Sequence, residues 1–339
     1  MTSRAKRGRD GERKVLDYFD VLLREADVEL LEGPHWLNDQ IVSFFFEYME
    51  REGLAGILHE AAAGGPPSSG RPLAGDGGVP GPVPGSSIGP GFGLGPDPGT
   101  CDILLLPPAT SFLLMHSSPQ MAAELLAPLK PARRGLVLLP VNDNPHVDAA
   151  GGGSHWSLLV FHRPSNTLRH YDSSPGGGNA RAARALAAAV GPALAACGSG
   201  DGGGGASAAA AVKAAPPGLM EVGCMPCQAN GYDCGVYVLA VARAVCGWWL
   251  EDCGSRRGAQ AAGGDPEAAA QDAGAKRRKG EPEARWAAQE ADLRQWMTPG
   301  YIAGMREHVL GLIRSKAAAM GGRAGAGGGG DTYTAGGVG

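Results

Sequence analysis

An α+β domain whose strands gather in the middle of the chain is what this sequence predicts, and three observations carry the prediction. Short apolar runs, ILLLP from 103, LVLLPV from 136 and WSLLVFH from 156, follow one another between Gly and Pro boundaries, as strands of a mostly buried sheet do. Helical spacing precedes these runs and returns after them. The strands cluster instead of alternating with helices, which separates the pattern from a regular α/β fold.

Taken in order, VLDYFDVLLREADVELL places Leu16, Phe19, Leu22 and Leu23 at helical spacing, and IVSFFFEYMERE follows the capping-type residues Asn38 and Asp39. The amino-terminal part is therefore expected to be helical. After the three apolar runs, TLRHYD adds a further strand. Alanine-rich 180–197, the run after Cys234, and 286–315 with a break at Pro299 return to helix. Three stretches, about 62–99, 198–218 and 254–284, have Gly/Pro/Ser/Ala-rich or charged compositions that cannot bury enough apolar surface to offset their ordering entropy. The expectation is one domain over 14–316 carrying three insertions, with a disordered Gly/Ala tail at 317–339. What remains once these are removed is roughly the size of one compact domain.

Composition narrows the function. The 339 residues include 56 Gly and 26 Pro, and 30 Lys and Arg face 34 Asp and Glu for a net charge of −4. No basic field of the kind that drives binding to nucleic acid is present. No uninterrupted apolar stretch approaches about 18 residues. The opening MTSRAKRGRDGERK is charged and lacks the apolar segment of a secretory signal. The expectation is a soluble protein of the cytoplasm and/or nucleus with neither nucleic acid nor membrane as partner. KRRK at 276–279, with Arg256 and Arg257 upstream, reads either as a nuclear import signal or as a solvated charge cluster. The seven cysteines, at 101, 197, 224, 227, 234, 246 and 253, are odd in number and scattered, so reduced thiols are expected. Cys224 and Cys227 form a CxxC with no second pair or HxxxH of suitable spacing, which reads as chance spacing before it reads as a metal site.

Chemistry concentrates at QANGYDCG, 228–235. Cys234 ends a loop and opens the apolar run VYVLAVARAV, so it stands at a helix N-terminus, whose partial positive charge favours a thiolate. His155 is the best base, because a Gly-rich loop enters a strand there and leaves the ring fixed yet open to substrate. Asp172 ends the next strand, on the side where a hairpin partner of His155 would lie, and suits the role of orienting the ring. Gln228 and the Cys234 backbone N–H suit an oxyanion hole. Each residue alone has a duller reading: a small buried thiol, an edge histidine, a turn aspartate, a loop glutamine. Their joint order is what carries the inference.

At this combination the sequence resembles the Ulp/sentrin-specific cysteine protease family, within it the deneddylase branch. The segments concerned are PHWLNDQIVSFFFEY (34–48), PVNDNPHVDAAGGGSHWSLLVFH (140–162), RHYDSS (169–174), QANGYDCGVYV (228–238) and MTPGYI (297–302). The resemblance implies a papain-like α+β fold of the Ulp type, with a central mixed sheet flanked by helices. It implies a triad of His155, Asp172 and Cys234, with Gln228 in the oxyanion hole and neither metal nor organic cofactor. It also implies a monomer that cleaves after the Gly-Gly end of a ubiquitin-like modifier of the Nedd/Rub type, on conjugates such as cullins. Trp36 and Trp156 would roof a tunnel that admits only glycine, although Trp36 reads equally as a core anchor of its helix, and Asp39 would contact a basic residue of the modifier. A SUMO-directed protease uses the same machinery. An acetyl-CoA-dependent acyltransferase would have no use for the WLND and HW elements, and a non-catalytic binding module would have no need of Gln228.

Overall fold

The computed structural model describes residues 13–57, 102–146, 152–196, 216–261 and 281–325. At its centre, β3 (Ile103–Leu105), β4 (Leu136–Asn142), β5 (Trp156–His162), β6 (Thr167–Tyr171) and β7 (Gly218–Glu221) form one five-stranded sheet in that order. β3 and β4 are parallel, β4–β5 and β5–β6 antiparallel, and β6–β7 parallel, so the sheet is mixed.

Alternate residues of the two longest strands enter different cores. Leu136, Leu138, Leu158 and Val160 pack on one face, whereas Val137, Leu139, Val141, Leu159 and Phe161 pack on the other. Both faces are covered, which explains why these strands read as continuous apolar runs without polar alternation. Helices α3 (Pro108–Met115) and α4 (Pro119–Leu126) cover the second face together with α5 (Ala180–Ala196). The first face carries α2 (Asp39–Tyr48), α6 (Cys234–Ala261), α7 (Glu281–Trp296) and α8 (Pro299–Gly325). The Cys234–Cys253 part of α6 is long and apolar enough to span a bilayer, but 89% of it is buried inside the protein, as in a core helix.

The helix expected from Val15 onward is instead a hairpin followed by a short helix: β1 (Lys14–Tyr18), β2 (Val21–Arg24) and α1 (Glu25–Glu32). Leu16, Tyr18, Val21 and Leu23 are buried while Asp17 and Leu22 are exposed, a period of two that a helix would break. Phe19 makes the turn with φ 50° and lies 60% exposed beneath the Arg51 guanidinium, 4.3 Å from it, so its apparent place in a helical stripe was a turn position.

α2 begins as expected, with the Asn38 side chain accepting from Ile41 N at 3.1 Å. The expected strands and later helices form. The insertions are shorter than composition suggested: β7 begins at Gly218, α6 runs to Ala261, and α7 starts at Glu281. α8 continues to Gly325, so the tail expected from 317 is helical over its first nine residues. Residues 62–99, KRRK, Cys101 and Cys197 lie outside the described residues.

A buried ionic cluster fastens α7 to the sheet. Arg169 on β6 is wholly buried, donates to Glu290 at 2.7 Å and pairs with Glu283. Tyr171 donates to the other Glu290 oxygen at 2.6 Å, and the Trp286 indole N–H donates to Tyr171 Oη at 3.0 Å. A buried cation that loses its inner carboxylate is left poorly compensated. Glu290→Ala is therefore expected to destabilise the fold by about 3–5 kcal/mol in urea unfolding, with Glu290→Gln, which keeps an acceptor, costing less.

Candidate active site

His155 sits immediately before β5 and Asp172 immediately after β6, and the antiparallel register Leu158↔Tyr171 brings both to one end of the sheet. Their side chains meet at 2.6 Å between Nε2 and Oδ1. Asp172 also accepts from the backbone N–H groups of Ser174 at 2.8 Å and Asn179 at 3.0 Å. Burial pushes the Asp172 carboxyl upward, but His155 and these two N–H groups outweigh it and hold the group below its ordinary value. Burial likewise works against charge on the His155 ring. Hydrogen bonds to Asp172 and to Cys234 overcome that penalty and raise its pKa to about 9.

Cys234 is the first residue of α6 and is 1% exposed. The turn before it is built by Asn230, whose Oδ1 accepts from the N–H groups of Tyr232 and Asp233 at 3.1 and 3.0 Å while its Nδ2 donates to Asp233 Oδ2 at 2.7 Å. Gly235 lets this helix start approach the neighbouring wall closely: a Cβ there would stand 2.9 Å from Leu37 Cβ.

A cleft of about 380 Å³ opens over these groups. Cys234, His155, Trp36, Trp156 and Asp39 line it, with Asn142 at the end of β4 and Gly153 from the loop before β5. Trp36 is 48% exposed, so it is a wall of the cleft and not a core anchor; its indole N–H donates to Gly231 O. The Trp156 indole N–H donates to Leu37 O at 2.8 Å. Asp143 clamps the Gly-rich loop by accepting from Ser154 Oγ at 2.6 Å and His155 N at 3.0 Å. Gly153, at φ 93°, leaves no room for a side chain, since a Cβ would lie 2.0 Å from Asn142 Oδ1.

The structure thus brings Cys234, His155 and Asp172 together and sets Trp36, Trp156 and Asp39 around them. Gln228 is tied to the turn that precedes Cys234. It does not line the cleft: its Nε2 donates to Asn230 O at 2.6 Å and its Oε1 accepts from Ser173 Oγ at 2.9 Å. Sequence reasoning missed Asn179. This fully buried side chain donates to Val141 O, His155 O and Ser157 Oγ at 3.0–3.2 Å, beneath the triad. An asparagine at the start of an alanine-rich helix gives no signal of that role. Cys224 and Cys227 are free thiols, and no cluster of three metal-ligating side chains occurs among the described residues.

A thiol at a helix N-terminus, facing an imidazolium held by a buried carboxylate, is the equipment of covalent acyl transfer, and it makes the protein a cysteine protease in class. No family model matches the chain. Among curated proteins, it is 30% identical over 237 residues to NEDD8-specific protease 1 of Arabidopsis thaliana, covering 70% of this chain and 76% of that one. It is 29% identical to human sentrin-specific protease 8, covering 68% and 81% respectively. The chain belongs to the Ulp/sentrin-specific cysteine protease family. Among solved structures, the yeast Ulp1 protease domain in complex with Smt3 aligns with a TM-score of 0.48 at 14% identity, covering 94% of this chain and 96% of that chain; the family assignment rests on the curated relatives.

The charge states set a pH dependence. His155 holds its proton more tightly folded than unfolded, so the pair with Asp172 stabilises the fold fully below about pH 6.5 and loses that contribution as pH rises through about 9. Asp172 works in the opposite sense: its contribution is present above about pH 3.9 and is lost as pH falls. The kcat/KM profile is expected to fall on the alkaline side with an apparent pKa near 9, where His155 loses the proton that a departing amine needs. Asp172→Asn is expected to move that limb to lower pH and to reduce kcat by on the order of 10³–10⁴; an unmoved alkaline limb in the variant would assign it to another group.

Proposed function

We propose that this protein is a thiol isopeptidase directed at a NEDD8-type modifier, removing it from lysines on conjugates such as cullins and trimming its precursor. The observation that carries the mechanism is His155 held between Asp172 and Cys234 in a cleft walled by two indoles. The substrate reading is supported by relatives named as NEDD8-specific in Arabidopsis thaliana and, at 26% identity over 230 residues, in Schizosaccharomyces pombe.

In this reading the Cys234 thiolate attacks the carbonyl carbon of the modifier's last glycine, the one bonded to the lysine nitrogen. The Cys234 backbone N–H and the Gln228 amide, which has a second Nε2 hydrogen besides the one given to Asn230 O, hold the resulting oxyanion. As the C–N bond breaks, His155 gives the lysine amine a proton from Nδ1, the nitrogen not occupied by Asp172. Water, deprotonated by the same ring, then attacks the thioester, and the modifier leaves with a free carboxylate while the thiol is restored. Trp36 and Trp156 offer flat apolar faces to a tail without side chains, and Asp39 is exposed at the rim for a basic residue of the modifier. A monomer of the cytoplasm or nucleus is part of the same proposal. The mammalian relatives are named sentrin-specific, which favours a sentrin-type modifier as second reading. A module that only binds would have no use for a charged His155 beside Cys234.

Electrophilic probes built on NEDD8, a sentrin-type modifier and ubiquitin test both levels, with covalent adduct scored by intact mass and Cys234→Ala as control. Adduct with the NEDD8 probe alone, abolished in the variant, is the expected result. Adduct with the sentrin probe alone would keep the mechanism and replace the substrate, adduct persisting in the variant would move the nucleophile, and none with any probe would overturn the catalytic reading.

A further inference from the structure

We propose that Arg306, on α8, is a positioning residue that fixes the Trp36 wall of the cleft to the segment carrying Cys234. Arg306 is 9% exposed, and its guanidinium spans two elements. One nitrogen, Nη1, donates to Leu30 O at 2.6 Å and Gly33 O at 3.3 Å. The other, Nη2, donates to His35 O at 3.1 Å and to Asp233 Oδ1 at 2.7 Å. Leu30 O and Gly33 O lie at the C-terminal end of α1, where carbonyls lack helical partners, and His35 immediately precedes Trp36. Asp233 immediately precedes Cys234.

The same short stretch is held from the cleft side by two further bonds, Trp156 to Leu37 O and Trp36 to Gly231 O. Without Arg306, the chain between α1 and Leu37 loses every contact described above on its rear side. Its charge also offsets the Asp233 carboxylate that immediately precedes the nucleophile. Only a guanidinium suits this arrangement, because a planar fork reaches three carbonyls and a carboxylate at once, whereas an ammonium is a point donor.

Neither Arg306 nor its hydrogen-bond partners Leu30, Gly33, His35 and Asp233 line the cleft, so the effect should appear in the geometry of the cleft before it appears in the thiol. Hydrogen exchange, which does not depend on the proposed substrate, tests this directly. In Arg306→Ala, exchange of the amides at 35–37 is expected to rise at least tenfold while β5 and the buried part of α6 keep their protection. In parallel, labelling by the modifier probe that reacts with the wild-type chain, an arm that rests on the proposed function, is expected to slow at least tenfold. Alkylation of Cys234 by iodoacetamide, followed on its peptide by mass, should change less than threefold. Arg306→Lys keeps the ion pair with Asp233 but not the fork, and it is expected to resemble Arg306→Ala; it also serves if the alanine variant does not fold. Unchanged exchange at 35–37, wild-type behaviour of the lysine variant, or parallel loss of protection throughout α6 and β5 would each overturn the proposal. A wild-type chain that reacts with no probe would count against the proposed function and leave the exchange result to decide on Arg306.

Discussion

The packing of β5 on α6 is the constraint on which the rest of the cleft depends. β5 is buried on both faces, with Leu158 and Val160 turned toward α6 and Leu159 and Phe161 turned away. A slip of one residue in its pairing would exchange those two sets and move His155 away from Asp172. The register is therefore enforced by most of the apolar core, and the charged groups at the end of the sheet inherit their positions from it. Burial that would ordinarily suppress ionisation is overcome locally by hydrogen bonds, two of them from backbone N–H groups that cannot wander.

Much of this arrangement was legible in the sequence. The strands declared themselves because a sheet covered on both faces needs unbroken apolar runs, and the triad declared itself because Cys234, His155 and Asp172 each sit where an element begins or ends. The amino-terminal hairpin was misread because Leu16, Phe19, Leu22 and Leu23 fit a helical stripe as well as a strand pair, and only the exposure of Phe19 and Leu22 distinguishes the two. β7 escaped notice because GLME has little strand character and is selected by its parallel partner β6. α3 and α4 were overlooked, although each begins with Pro at its first helical position.

The supporting residues of the cleft were less visible than the reacting ones. Asn179 and Arg306 act through hydrogen bonds to backbone carbonyls far away in sequence, and such bonds leave no local pattern. Gln228 shows the converse case: its identity was readable from its spacing to Cys234, yet the direction of its amide was set by Asn230 O and Ser173, which spacing does not reveal.

The bond from Arg306 to Leu30 O joins residues 276 positions apart, and β1 lies against the same late helix. A chain made from its amino end exposes residues 30–37 and Cys234 well before residue 306 emerges. Until then the wall beside the nucleophile lacks its rear support. The order of synthesis thus acts as a timer: a growing chain cannot close this wall by the Arg306 contact until residues 30–37, Cys234 and Arg306 itself have all been made.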